Sequence, residues 1–328
     1  MKPIVAIRRW WRMTVHNMSS SIPDPEAEAP PTPLEIVPPT PDEAERQATP
    51  IEQAGEHYDI WRLLTPPRHL NEAAIRALCK NAYLGDGTAV CRVLGRYRLF
   101  VDTQDVGLST FLLLDGYWEM WVTEAMMHLV RPGMTVIDAG ANLGYFTMLM
   151  ADLVGTDGRV LAIEPNPDLV SRLRRSVSVN GYAARTAVHD CGLGDRQGNA
   201  GLIVPAGEPK NGYLAATGIA GGVNVPLRRL DEIEGALDAD FIKIDVEGSE
   251  EAVWRGMTGI IARGRPLTIV LEFTPGRYAD PARFLDEILA AGFGLRIIDH
   301  RAGVVPISRA EVLAGPPADD QMLVLIRA

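Results

Sequence analysis

Six acids and one bare turn carry most of the chemistry legible in this chain. Asp138, Gly140, Asn142 and Gly144 stand within seven residues of the stretch VIDAGANLGYFTMLMADLVG. Glycines there let a ligand approach the backbone, and the amides that open a following helix can meet an anion. Glu164, in AIEPNP, ends the next strand, where a carboxylate can accept hydrogen bonds from ribose hydroxyls. Asp190, in VHDCG, ends a third strand and is open between bonding an adenine amino group and capping its own loop. Further on, FIKIDVEG alternates Ile242, Ile244 and Val246 with Lys243, Asp245 and Glu247, so three charges share one strand face. Glu272 closes the strand LTIVLEF and should lie beside Asp245 if the two strands are neighbours.

These residues suggest a nucleotide-like cofactor and a reaction needing carboxylates. A dinucleotide turn requires G-x-G-x-x-G. Here three residues separate Gly140 from Gly144 and Asn142 stands where a second glycine belongs. That spacing argues against a pyrophosphate, and so against an NAD-dependent oxidoreductase. Glycine turn, ribose acid and a terminal strand pair together point to S-adenosylmethionine (SAM). Asp138, Gly140, Asn142, Gly144, Glu164 and Asp190 are the expected cofactor contacts, with Asn142 toward the methionine part. Burying charges is costly unless they pair, so the plain reading of FIKIDVEG is an ion pair between Lys243 and an acid. The chemical reading sets Asp245 before the transferred methyl, as base or acceptor-orienting group, with Glu247 and Glu272 in support. Carboxylate oxygens can hold Mg²⁺, but nothing in this spacing demands a metal, and a metal-free site is expected. Methyl transfer from a sulfonium is an in-line displacement, so alignment and proton removal are the work required.

The elements that must position these residues are readable from periodicity. HLNEAAIRALCKNAYLG reads as a helix with Leu70, Ala74 and Leu78 on its apolar side, ended by Gly85. AVCRVLGRYRLFVDT reads as a β-hairpin around Gly95. GYWEMWVTEAMMHLV reads as a helix whose Trp118 and Trp121 serve the core. After Pro132-Gly133, strands alternate with helices: TVIDAG, RVLAIEPN, TAVHDCGLG, FIKIDVEG and LTIVLEF are the strands. Their near-continuous apolar runs predict a mostly parallel sheet covered on both faces. Ser249 should cap the helix EEAVWRGMTGII, and Asp280 the helix that begins at Pro281. A Gly-rich excursion over residues 206–224, with Tyr213, could shape an acceptor pocket. GLRIIDH and QMLVLIRA lack a crossover helix between them and predict a final antiparallel hairpin.

Composition bounds the rest. The formal charge of -10 is uneven: residues 1–20 carry +4, residues 21–60 carry -9, and residues 61–328 carry only -5. The Pro-, Glu- and Ala-rich stretch from 21 to 50 has too few large apolar residues to offset ordering entropy, so residues 1–57 read as a disordered acidic segment. Residues 58–131 then read as a helical and hairpin lead-in, and 132–328 as the catalytic domain. No basic face suggests nucleic acid. The apolar run PIVAI is too short for a signal-peptide core, and no helix is long enough for stable membrane insertion. Cys79, Cys91 and Cys191 are widely spaced, which favours reduced thiols and a cytoplasmic setting.

DAGANLGYFT, IEPNP and IKIDVEGSEEAVWRG resemble the three signatures of the FkbM-type SAM-dependent methyltransferases, and the lead-in DGYWEMWVTEAMMHLVRPGMTVID is similar too. The resemblance covers about residues 85–328. It implies a Rossmann-like α/β methyltransferase fold and O-methylation of a hydroxyl on a natural product, lipid or sugar. It leaves the acceptor and the oligomeric state unnamed. VHDCGLGDRQG departs from the family's plainer segment, which bears on the adenine side. The alternative from another class is a SAM-fold protein that binds a partner without catalysis.

Overall fold

Adjacent residues of each central strand face opposite cores. Val136, Val160, Ala162 and Phe241 enter one apolar cluster, while their neighbours Ile137, Leu161, Ile163 and Ile242 enter a second. A strand buried on both faces has no polar side to show, which is why these strands read as unbroken apolar runs. The computed structural model of the chain describes residues 57–65 and 67–328. The expected disordered segment therefore lies outside the described residues, His57 apart. All described residues fall in one compact unit.

The described residues begin with a short 3-10 turn (Ile60–Leu64) and continue with α1 (Arg68–Leu78), a meander of β1 (Asn81–Gly85), β2 (Thr88–Val93) and β3 (Tyr97–Asp102), then α2 (Leu108–Leu114) and α3 (Met120–Leu129). The alternating region runs β4 (Thr135–Ala139), α4 (Tyr145–Leu153), β5 (Arg159–Ile163), α5 (Pro167–Val179) and β6 (Thr186–His189). A small excursion follows, with β7 (Gly192–Leu193), β8 (Gly198–Ile203), β9 (Tyr213–Ala215) and β10 (Val223–Arg228). The chain returns through β11 (Phe241–Ile244), α6 (Glu250–Arg255), α7 (Thr258–Ala262), β12 (Leu267–Phe273) and α8 (Pro281–Ala290). It ends with β13 (Gly294–Asp299), β14 (Gly303–Pro306), α9 (Arg309–Ala314) and β15 (Gln321–Arg327).

Eight strands form the main sheet in the order β14-β13-β15-β12-β11-β4-β5-β6. The run from β12 to β6 is parallel, and β15 inserts antiparallel between β12 and β13. The expected terminal hairpin is present, widened by β14 and by the six-residue α9. This is the Rossmann-like α/β arrangement anticipated from the sequence. Its order reverses beside β4: the chain moves outward to β5 and β6, then returns to β11 on the other flank. Ligands of open α/β sheets sit at such a reversal, beyond the carboxyl ends of the strands.

Several local expectations are corrected. NAYLG is a strand of the meander, not the last turns of a helix. Leu70 is exposed while Asn71 and Ile75 face the core, because Asn71 takes the Tyr58 hydroxyl at 2.8 Å. Tyr58, Leu99 and Met126 of the lead-in share a cluster with Val136 and Leu149. The Gly-rich excursion over residues 206–224 is not a plain loop: it carries β9 and the start of β10, which join β7 and β8 in a sheet ordered β7-β10-β8-β9. Asp280 does cap α8, accepting from the Arg283 amide, whereas Ser249 makes no side-chain cap.

Candidate active site

A cleft opens where β4, β5, β11 and β12 end, and the turn after β4 forms its floor. Both glycines of that turn are required, but for packing. Gly140 has φ 84, and a Cβ there would lie 1.8 Å from the Asp245 carbonyl oxygen. Gly144 has φ 92, and its Cβ would meet Leu173 of α5 at 2.4 Å. The first bare position lets two strand-end turns cross; the second seats a helix. Gly140 also lines the cleft, while Gly144 does not. Asn142 lines it from a left-handed backbone with φ 52, and its own side chain accepts from the Leu143 amide at 2.8 Å. Asp138 lies one layer below. Thr147 donates to one of its oxygens at 2.5 Å, while the other is buried with no hydrogen-bond partner among the described residues. Burial raises its pKa, opposed by the nearby Lys243 charge and the Thr147 bond.

Glu164 stands where the ribose acid was expected. Its two oxygens accept from the Asn142 amide at 2.9 Å and the Asn166 amide at 2.8 Å, and Asn166 in turn caps α5. Burial pushes Glu164 up to about 7, and those two amides limit the rise. Asp190 does not join it. Its side chain is 68% exposed and pairs with Arg174 at 3.4 Å, and Cys191, Gly192 and Leu193 line that side of the cleft instead.

At the opposite wall, Lys243 is buried with its ammonium 2.8 Å from Asp245 and 5.0 Å above the Phe146 ring. Asp245 thus makes an ion pair with Lys243 and also lines the cleft. Strand geometry stops at Ile244, so it does not carry Glu247 to the same face. Glu247 reaches the cleft from a turn with φ 53. One guanidinium fixes it: Arg277 bonds Glu247 at 2.9 Å and Glu272 at 2.7 Å. Burial drives Glu247 up to about 7, aided by Asp245 and opposed by Arg277. Glu272 rises further, again mainly through burial. Glu250, which sequence assigned only to a helix start, is a brace: one oxygen accepts from the Val246 and Gly248 amides, the other from the Tyr278 hydroxyl. Among the described residues no three acidic, histidine or cysteine side chains converge as a metal site.

Three cleft residues and one that braces the cleft acids escaped the sequence reading. Trp118, assigned to the core, lines the cleft with Lys210 held 5.3 Å over its ring. Arg277 lies beyond the motifs, and nothing in its surroundings marks it. Glu119 hid inside a run read as continuous helix, but α3 begins only at Met120, and Glu119 has φ 39. The available signal was an acid interrupting aromatic and aliphatic residues in GYWEMW. Among the described non-glycine residues with positive φ, Asp86 and Leu94 serve turns of the meander, while Glu119, Asn142 and Glu247 all line this cleft. Strain of that kind gathers at functional sites.

The residues present fit SAM. Glu119, Glu164, Asp245, Glu247 and Glu272 outnumber Lys210 and Lys243 on the walls, a balance that suits a sulfonium cation. Glu164 would hold the ribose, Gly140 to Asn142 the methionine part, and Cys191 to Leu193 the adenine side. The fold and this crevice define a SAM-dependent methyltransferase domain. Residues 138–295, just under half of the chain, match the methyltransferase FkbM domain. Relatives match over shorter stretches. A protein-L-isoaspartate O-methyltransferase of Methanococcoides burtonii is 35% identical over 99 residues, covering 30% of this chain and 44% of that protein. Methyltransferase 1 of Beauveria bassiana is 28% identical over 145 residues, covering 37% and 57%. The chain thus spans about half the length of these curated relatives. The crystal structure of an FkbM methyltransferase from Methylobacillus flagellatus aligns over 65% of this chain and 52% of its own, with 18% identity and a TM-score of 0.38.

Proposed function

We propose that this protein transfers the methyl group of SAM to a hydroxyl of a small-molecule, glycan or lipid acceptor. The observation that carries the reading is the division of one cleft between Glu164, fixed beside the motif turn, and the acids of β11 and β12 on the facing wall. When bound, SAM supplies an electrophilic methyl on a sulfonium. The chain's own residues then orient the acceptor oxygen and take up its proton. Asp245 presents one oxygen to Lys243, and in this reading its carboxylate directs the acceptor hydroxyl toward the methyl. Glu247 and Glu272, locked by Arg277, hold the remainder of the acceptor. Asn142 and Glu164 hold the cofactor with the backbone of Gly140; Asp138, one layer below, and Gly144, which seats α5, support them, and Asp190 is left outside. We place the reaction in the cytoplasm. Among the described residues no helix is long and apolar enough to cross a membrane.

Calorimetry should detect SAM binding and no NAD binding, and S-adenosylhomocysteine should accumulate with a panel of hydroxylated acceptors. Asp245→Asn should slow single-turnover methylation by about a hundredfold while leaving SAM affinity nearly unchanged. A protein that binds SAM but yields no S-adenosylhomocysteine with any acceptor would be a binding module instead.

A further inference from the structure

Five carboxylates line the cleft, and four are already engaged. Asp245 is held by Lys243 at 2.8 Å, Glu247 and Glu272 by Arg277 at 2.9 and 2.7 Å, and Glu164 by two backbone amides. Glu119 differs. No hydrogen-bond donor or cation stands within bonding distance of its carboxylate among the described residues, although it faces the charges of Asp245, Lys243 and Lys210. Its backbone is held left-handed at φ 39 and ψ 64 where α3 begins, and its own carbonyl accepts from the Val122 and Thr123 amides. The helix thus fixes the main chain and leaves the side chain for the cleft.

We infer that Glu119 is the group that takes the proton from the acceptor hydroxyl, an assignment that rests on the methyltransferase reading. The engaged acids are poor stores for that proton. Protonating Asp245 would strip the buried Lys243 of its contact partner, and protonating Glu247 or Glu272 would break the Arg277 fork; unpaired buried charge is costly. Glu119 gives up no such contact. In the step, the acceptor oxygen bonds to the methyl carbon, the carbon–sulfur bond breaks with its electron pair left on sulfur, and the acceptor proton passes to Glu119. A sulfonium and a carboxylate both become neutral, which a cleft of low dielectric favours. The proton leaves to solvent after product release. Burial, aided by Asp245, pushes Glu119 up to about 7, a range suited to a general base at neutral pH.

The test uses the full chain, SAM radiolabelled in its methyl group and a deproteinised metabolite extract as the source of hydroxyl acceptors. Glu119→Gln should slow label transfer by about a hundredfold and abolish the rise of rate with pH through neutrality. Glu119→Asp should recover part of both, and SAM affinity by calorimetry should stay within about twofold of wild type in each variant, because Glu119 acts on the acceptor. Wild-type transfer by Glu119→Gln, or a slower rate with an unaltered pH profile, would overturn the assignment. Failure of the wild-type chain to bind SAM would remove the methyltransferase reading beneath it, and calorimetry separates the two results.

Discussion

The two walls of the cleft hold their carboxylates by different means. On the cofactor wall, Glu164 is fixed by neutral backbone amides, so no cation offsets its charge once it ionises and its direction is imposed by the chain itself. On the facing wall, Lys243 and Arg277 hold Asp245, Glu247 and Glu272, so most of that charge is offset where it stands. Amide bonds orient a carboxylate without cancelling it; a cation orients and cancels together. The cofactor wall therefore retains attraction for a cationic ligand, and the facing wall retains a set of rigid acceptors for hydroxyl groups. Glu119 belongs to neither scheme.

The largest expected effect comes from breaking the point where the walls meet. Gly140→Val should unfold the protein or cost more than about 4 kcal/mol, because a side chain there collides with the Asp245 carbonyl. A thermal melt of the variant checks this; a native-like melt would mean that the two turns can separate. It follows that Gly140 cannot serve as a clean probe of SAM affinity, contrary to what the bare sequence suggests.

Lys243→Met tests the cation-held wall. It leaves Asp138 and Asp245 facing each other without the buried ammonium, and should cost about 3 to 5 kcal/mol in denaturant unfolding. An unchanged stability would show that solvent at Asp245 already offsets the pair.

Glu164→Gln tests the amide-held wall and should be milder. A glutamine offers one acceptor oxygen, so one of the two amides loses its partner, at about 1 to 3 kcal/mol. SAM affinity should fall roughly tenfold to a hundredfold by calorimetry, since a charge-assisted bond to the ribose is lost.

The smallest effect is the dependence on pH. Glu119, Glu164 and Glu247 titrate near 7 in the folded chain against an ordinary 4.5. Between those values the folded state holds protons that the unfolded chain has released. Their contribution to stability without ligand should thus be fully present below 4.5 and be lost as pH rises through about 7. SAM affinity should rise over the same interval as Glu164 ionises. Opposite slopes for melting temperature and affinity are the expected pair; parallel slopes would contradict the ionised role of Glu164.

Much of the fold was legible because its signals are local. Apolar runs identified the parallel strands, and the missing crossover helix identified the antiparallel end. Glu164 and Asp245 were legible as well, since a strand end and an alternation of two place them without reference to any partner. Glu247 was assigned to the right cleft through the wrong geometry, because the strand stops at Ile244 and a left-handed turn delivers it. Asp190 occupies the expected place in sequence, yet its side chain leaves for Arg174 once β6 ends.

The sequence by itself determined the kind of sheet, the end of the sheet where the cleft opens and the acids carried there by strands. Tertiary structure alone decided what each acid touches. Partners for buried charge come from distant parts of the chain: Arg277 reaches back to Glu247, Asp245 meets the turn of Gly140, and Glu119 arrives from a helix that precedes the sheet. Periodicity records which face a residue shows. It carries no record of which neighbour crosses that face, and that neighbour decides how each carboxylate of the cleft is held.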